Sequence, residues 1–214
     1  HCLRLSNEMI IYLNFGELDS WLTLKPLRGL LTEISFDVEV RPMLGSVGNV
    51  VGQSAPGDPD PLRVYKERRA EARRQATFRE LERQCEMLDL SIEQAERRVN
   101  PLMMSLGLLW VSRQAGNWLD FCHSAFEQTY RENADVETIN GAVRLILAAG
   151  VSAAGFSDFV ANEKTKLADS ANELIAQGIL STPAFVLEEQ IFLGREHLPF
   201  IGWILGGRSG EPPV

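Results

Sequence analysis

The hydrophobic pattern along the chain changes period several times, and each change marks an element. Residues 8–15, EMIIYLNF, form an apolar and β-branched run that stops at Phe15 before the turn-prone Gly16, which predicts a buried strand. In DSWLTLKPLRGLLTEI, residues 19–34, Leu22, Leu27, Leu30 and Leu31 recur at helical spacing behind Asp19 or Ser20, either of which can cap a helix. Pro26 removes one backbone hydrogen bond from that helix and predicts a kink. SFDVEVRPML then alternates Phe36, Val38 and Val40 inward against Asp37, Glu39 and Arg41 outward, the period of a second strand.

Residues 45–61, GSVGNVVGQSAPGDPDP, are dense in Gly, Pro, Ser and Asp and predict a long loop and a boundary. From Leu62 to Arg98, Phe78, Leu81, Cys85 and Leu88 repeat every three or four residues in an Arg- and Glu-rich stretch, so one amphipathic helix is expected. Its charges read in two ways: a solvated face laced with i,i+4 pairs, or arginines that point into a cleft and meet an anionic ligand. NPLMMSLGLLWVSRQAG, with Pro101 at the first helical position, NWLDFCHSAFEQTYREN, VETINGAVRLILAAG and SAAGFSDFVANEKTKLADSANELIAQG continue a helical middle. STPAFVLEEQIFLGREHL, residues 181–198, reads as a β-hairpin with a Glu-Glu-Gln turn, and a last helix follows. Pro183 at its head cannot donate to a ladder. A trans proline at a sheet edge and a cis proline in a special turn both fit.

The order is therefore β-α-β, a helical block, a helix, a hairpin and a last helix. That is an α/β arrangement, a thioredoxin-like fold with an inserted all-helical domain: residues 6–55 and 173–210 form its two parts and 56–172 the insertion. The 214 residues, 45% of them hydrophobic, can bury a core of one or two domains. A net charge of −8 argues against a nucleic-acid partner, although the Arg-rich helix is locally basic. The apolar run VRLILAAGVSAAGF is short and broken by glycines, and HCLRLSNEMI lacks the charged and apolar regions of a secretory signal. A cytoplasmic protein with no membrane partner is expected. Cys2, Cys85 and Cys122 are scattered and odd in number, without C-x-x-C, so neither a disulfide framework nor a dithiol centre is expected. Cys85 and Cys122 read as small buried hydrophobes. His1, His123 and His197 lack ligand spacing, so no metal site is expected.

Four stretches resemble one family: NFGELDSWL after the first strand, VEVRPMLG at the second, RRQATFRELERQ in the long helix, and GILSTPAFVLEEQIFLGREHL at the end. The chain is similar to DsbA-like thioredoxin-fold proteins, and within them to 2-hydroxychromene-2-carboxylate isomerases and kappa-class glutathione transferases. The resemblance implies a cis Thr182-Pro183 bond opposite the start of the first helix, with a loop that pairs with glutathione. Glu17 falls on the active-site serine or first-cysteine position, and Ser20 on the second-cysteine position. Gly194, Arg195 and Glu196 match the segment that holds the γ-glutamyl end. Ala72 and Arg73 keep the start of the long-helix motif, which makes Arg73 a candidate ligand contact. Ala76 replaces that motif's aromatic residue, and Glu80-Leu81 stand for its Asp-Leu.

Neither redox position carries sulfur, which excludes dithiol chemistry there. A carboxylate beside a bound thiol also raises the thiol's pKa, opposite to what a serine donor does. Two functions follow. One is a glutathione-dependent isomerase or transferase acting on an aromatic or hydrophobic small molecule, with Glu17 as general base and a homodimer suggested by the relatives. The other is a non-catalytic thioredoxin-fold binding module that has lost its nucleophile.

Overall fold

The structure, a computed structural model, describes residues 8–45 and 63–213. Most of the expected 45–61 loop, together with Cys2 and His1, lies outside the described residues. Strand β1 (Glu8–Leu13) leads through helix α1 (Leu18–Glu33) to β2 (Asp37–Pro42). Helices α2 (Arg63–Leu88), α3 (Ile92–Ala95), α4 (Leu102–Arg113), α5 (Trp118–Tyr130), α6 (Ile139–Ala148) and α7 (Phe156–Ala176) follow. The hairpin β3 (Ala184–Leu187) and β4 (Gln190–Leu193), a 3-10 turn (Arg195–His197) and α8 (Leu198–Leu205) complete the order.

The sheet runs β2-β1-β3-β4, with β1 parallel to β2 and antiparallel to β3. Parallel neighbours need a crossover, and α1 supplies it. β1 is central and covered on both faces, which is why its sequence is a continuous apolar run. Met9, Ile11 and Leu13 enter the main core, while Tyr12 joins a second cluster with Met43, Leu174, Ile179 and Ala184 under the end of α7. The expected alternation of β2 holds, with Val40 buried and Asp37 and Glu39 exposed. The register pairs Ile11 with both Val40 and Phe185, so one residue of β1 ties the two halves of the sheet.

Helix α1 differs from expectation at its start and on its face. Glu17, not Asp19 or Ser20, is the capping residue, and it makes no side-chain capping bond. The buried stripe is Leu18, Trp21, Leu24 and Leu27, whereas Leu22, Leu30 and Leu31 are only partly buried. Pro26 stays within the helix on its exposed side. The single helix expected from Leu62 to Arg98 is broken. α2 stops at Leu88, Asp89 turns left-handed at φ 52°, and Ser91 opens α3 through a reciprocal capping box with Gln94. Asp is one of the few residues that take that conformation readily. Phe78, expected on the buried stripe, is instead exposed, because the core-facing part of α2 begins only near Leu81. Pro101 caps α4 from just outside it and does not occupy its first turn.

An aromatic cluster joins the end of β1 to α1 and the helical block. Phe15 packs edge-on against Phe121 and at 5.1 Å from Phe126, and Trp21 stacks on Phe126 with an interplanar angle of 4°. Cys122 is buried in the same core, and burial pushes its thiol far above the ordinary range. The helical block and the sheet therefore share one hydrophobic core. The boundary expected at residue 172 falls within α7, whose first turns carry Phe156 and Phe159 against Trp110 of α4 and whose last turn carries Leu174 under the sheet.

Phe126 is fully buried between the two parts of the chain. Phe126→Ala is expected to cost about 3 to 5 kcal/mol of unfolding free energy, the range for deleting a large buried aromatic. Urea unfolding, with the free energy taken at zero denaturant, is the measurement that checks it.

Candidate active site

The site is built on the turn between β1 and α1. Asn14 carries it: its carbonyl accepts the Glu17 N–H at 3.1 Å, and its side-chain oxygen accepts the Gly16 N–H at 2.9 Å, an Asx turn that reverses the chain within four residues. The Asn14 N–H donates to Ser20 Oγ at 3.0 Å. Ser20 is fully buried and its hydroxyl faces the strand end, so the structure gives this expected catalytic residue a bracing contact. Glu17 emerges from this turn half-buried at the N-terminus of α1, where the unpaired amides and the helix dipole favour a negative side chain.

Across from it lies the head of the hairpin. The Thr182-Pro183 bond is cis, as the resemblance implied, and Thr182 Oγ donates to Glu17 Oε2 at 2.5 Å, joining residues 165 apart in sequence. The Asn14 side-chain amide approaches Glu17 Oε1 at 3.4 Å. The Pro183 carbonyl accepts the Gly194 N–H at 2.8 Å, which fixes the loop to β4. Thr182 itself is only 6% exposed, and its N–H and C=O have no backbone partner among the described residues.

Arg195 and Glu196 follow directly. Arg195 Nε is 3.2 Å from Asp19 Oδ1, and Asp19 also accepts from Gln84 Nε2 of α2 at 3.1 Å. The first turn of α1 is thus clamped between the hairpin side and the long helix. Gly194 has φ 98°, and any side chain there would run into the Glu196 carboxylate folded over it. Arg73 is not brought to this group. It stands on the exposed part of α2 beside Phe78, Leu81 and Glu96, eleven residues before Gln84 and so about 16 Å along the helix from the contact with Asp19.

Sequence reasoning missed two neighbours. Tyr130 is buried beneath the turn, and its hydroxyl donates to the Phe15 carbonyl at 3.4 Å. Its pKa is pushed up to about 12, chiefly by burial and further by the Glu17 charge, with Arg97 opposing. Asn14 was the other. A polar residue near the end of an apolar strand, two positions before a glycine, was the available signal. Among the described residues no group of His, Cys, Asp and Glu is arranged to hold a metal, and the buried thiols Cys85 and Cys122 lie outside the turn.

The fold is a thioredoxin fold carrying a helical insertion, the architecture of DsbA-like proteins. Within that architecture, 2-hydroxychromene-2-carboxylate isomerase superposes with a TM-score of 0.64 at 14% identity, over 94% of this chain and 95% of that one. A structure described as a probable DsbA oxidoreductase from Streptomyces coelicolor gives 0.62 at 13% identity, over 97% and 93%. The cytosolic disulfide reductase DsbM from Pseudomonas aeruginosa gives 0.53 at 13%, over 86% and 87%. No family model matches the sequence, and no curated protein matches it significantly. Among the described residues no helix is long and apolar enough to cross a membrane.

Two outcomes follow from this geometry. Thr182→Val, which keeps the shape and leaves the Glu17 carboxylate without its hydroxyl donor, should lower stability by about 1 to 3 kcal/mol, while Thr182→Ser should retain most of it. Chemical denaturation of both variants at neutral pH decides this. Tyr130 generates the second. Because its folded value lies above the ordinary 10.0, its contribution is complete below pH 10 and is lost as pH rises from 10 toward 12. Tyr130→Phe should therefore flatten that part of the alkaline unfolding curve.

Proposed function

We propose that the protein binds glutathione along the cis-Pro183 loop and acts on a hydrophobic or aromatic small molecule as an isomerase or transferase without dithiol chemistry. The observation that carries this reading is the Glu17 carboxylate in the position of the nucleophile, held by Thr182 Oγ at 2.5 Å. A carboxylate so placed can take a proton from a substrate carbon or hydroxyl and return it elsewhere on the same molecule. Its orientation is set in advance by the Thr182 hydroxyl and the Asn14 amide. The unpaired backbone of Thr182 would offer the tripeptide a strand-like pairing, and Glu196 beside Gly194 supplies a negative group for the ligand's ammonium. The isomerase that shares the fold supports the reaction class.

One observation favours the alternative, a binding module without turnover. Glu17 and Arg195 are both already hydrogen-bonded within the protein, the first to Thr182 and the second to Asp19. A ligand must displace or share those bonds.

Glutathione carries a thiol into the neighbourhood of Glu17. The carboxylate disfavours the thiolate, so S-methylglutathione should bind at least as well as glutathione, and Glu17→Ser should increase bound thiolate. Calorimetric titration at neutral pH, with thiolate absorbance followed for wild type and Glu17→Ser, tests the proposal. Absence of binding by both tripeptides would leave the binding-module reading. Loss of a native isomerisation in Glu17→Gln with binding unchanged would identify Glu17 as the base.

A further inference from the structure

A cavity lies against α1 along Trp21 to Arg28, and Glu17 is not among the residues that line it. It encloses about 490 Å³ between α1, the end of α2 and α5, within the size range of small-molecule sites. Its walls carry Lys25, Arg28, Arg131 and Arg195 together with His123, against the single carboxylate of Glu127. In a chain whose net charge is −8, this local excess of cations is the reverse of the average surface. The rest of the lining is apolar and mainly aliphatic, and Met87 stands 49% exposed on its wall.

The cations are not all consumed by internal pairs. Arg131 is: it holds Glu127 and the carbonyls of Leu88 and Asp89 while its guanidinium lies 5.5 Å from the Trp21 ring. Arg28 uses only Nη2, toward Asp120 at 2.5 Å, whereas Arg195 uses Nε toward Asp19 and Nη2 toward the Met87 sulfur at 3.9 Å, so Arg28 keeps the larger share of free N–H donors among the described residues. Lys25 is exposed and has no carboxylate partner among them. The apolar side narrows the ligand further. Trp21 is only 4% exposed, and its ring is engaged by Phe126, Tyr130 and Arg131, so it offers no free face for stacking. Leu22, Leu24, Leu88 and Met87 offer aliphatic surface.

We propose that this cavity binds a small aliphatic anion, a medium-chain carboxylate whose chain lies on the leucine and methionine surface and whose headgroup meets Lys25 and Arg28. It is separate from the tripeptide position proposed at Pro183. The inference rests on the cavity and its charges, not on Glu17.

Octanoate is the probe and 1-octanol its neutral counterpart, titrated calorimetrically into the full chain. Octanoate should bind one to one in the range below about 1 mM and about tenfold more tightly than 1-octanol, and added salt should weaken only the acid. Lys25→Glu, an exposed substitution that leaves the core intact, should reduce octanoate affinity about tenfold and leave 1-octanol unchanged. Met87→Asp should weaken both. Glutathione should not displace octanoate, which separates this test from the fate of the Pro183 reading. No binding by octanoate, equal binding of acid and alcohol, or octanoate affinity unaffected by Lys25→Glu would each overturn the proposal.

Discussion

A carboxylate at the first turn of α1 held by a hydroxyl from the hairpin is the contact on which the candidate site depends. Glu17 and Thr182 come from opposite ends of the chain and meet only because β1 pairs with β3. The energetic logic is asymmetric. A net gain from one such hydrogen bond is modest, but leaving a half-buried carboxylate without its donor is costly, so the pair specifies the geometry more than it stabilises the fold. The Asn14 turn, the Ser20 brace and the Asp19 clamp act in the same sense, each removing one way in which the first turn could shift.

The aromatic cluster explains why that turn can be rigid although it is polar. Phe15 and Trp21 flank the site residues in sequence and are both buried against α5, so the backbone on either side of Glu17 is anchored in the core. Tyr130 completes the floor with its one polar atom turned up to Phe15. Side chains in such a core are packed near crystal density and transmit rather than absorb displacement. The helical block is thus part of what holds the site, and its boundary with the sheet is a packed surface.

Much of the architecture was legible because burial leaves periodic traces. The two-sided burial of β1 appears as an unbroken apolar run, the half-burial of β2 as alternation, and the hairpin as two short apolar runs about a turn. The failures have local causes. The break after Leu88 was hidden because the apolar spacing through Leu81, Cys85 and Leu88 suggested continuation, although Ser91 and Gln94 stood at capping-box spacing. The cap of α1 was misplaced because Asp19 and Ser20 have the usual capping chemistry, whereas the structure closes the turn from Asn14 and leaves Glu17 free to face Thr182. Roles that arise across the fold leave no local trace. Tyr130 and Phe15 are 115 residues apart, and nothing near Tyr130 announces that its hydroxyl meets the turn.

Arg195 links the candidate site to the cationic cavity. Its guanidinium reaches Asp19 in the first turn of α1 and also lines the cavity, so one side chain borders both. Asp19 cannot be neutralised by Arg195 and at the same time released to a ligand's cation without cost, because the same carboxylate also accepts from Gln84 of α2. The Asp19–Arg195 pair therefore stands between the two sites, and the headgroup contacts assigned to the cavity, Lys25 and Arg28, leave it intact.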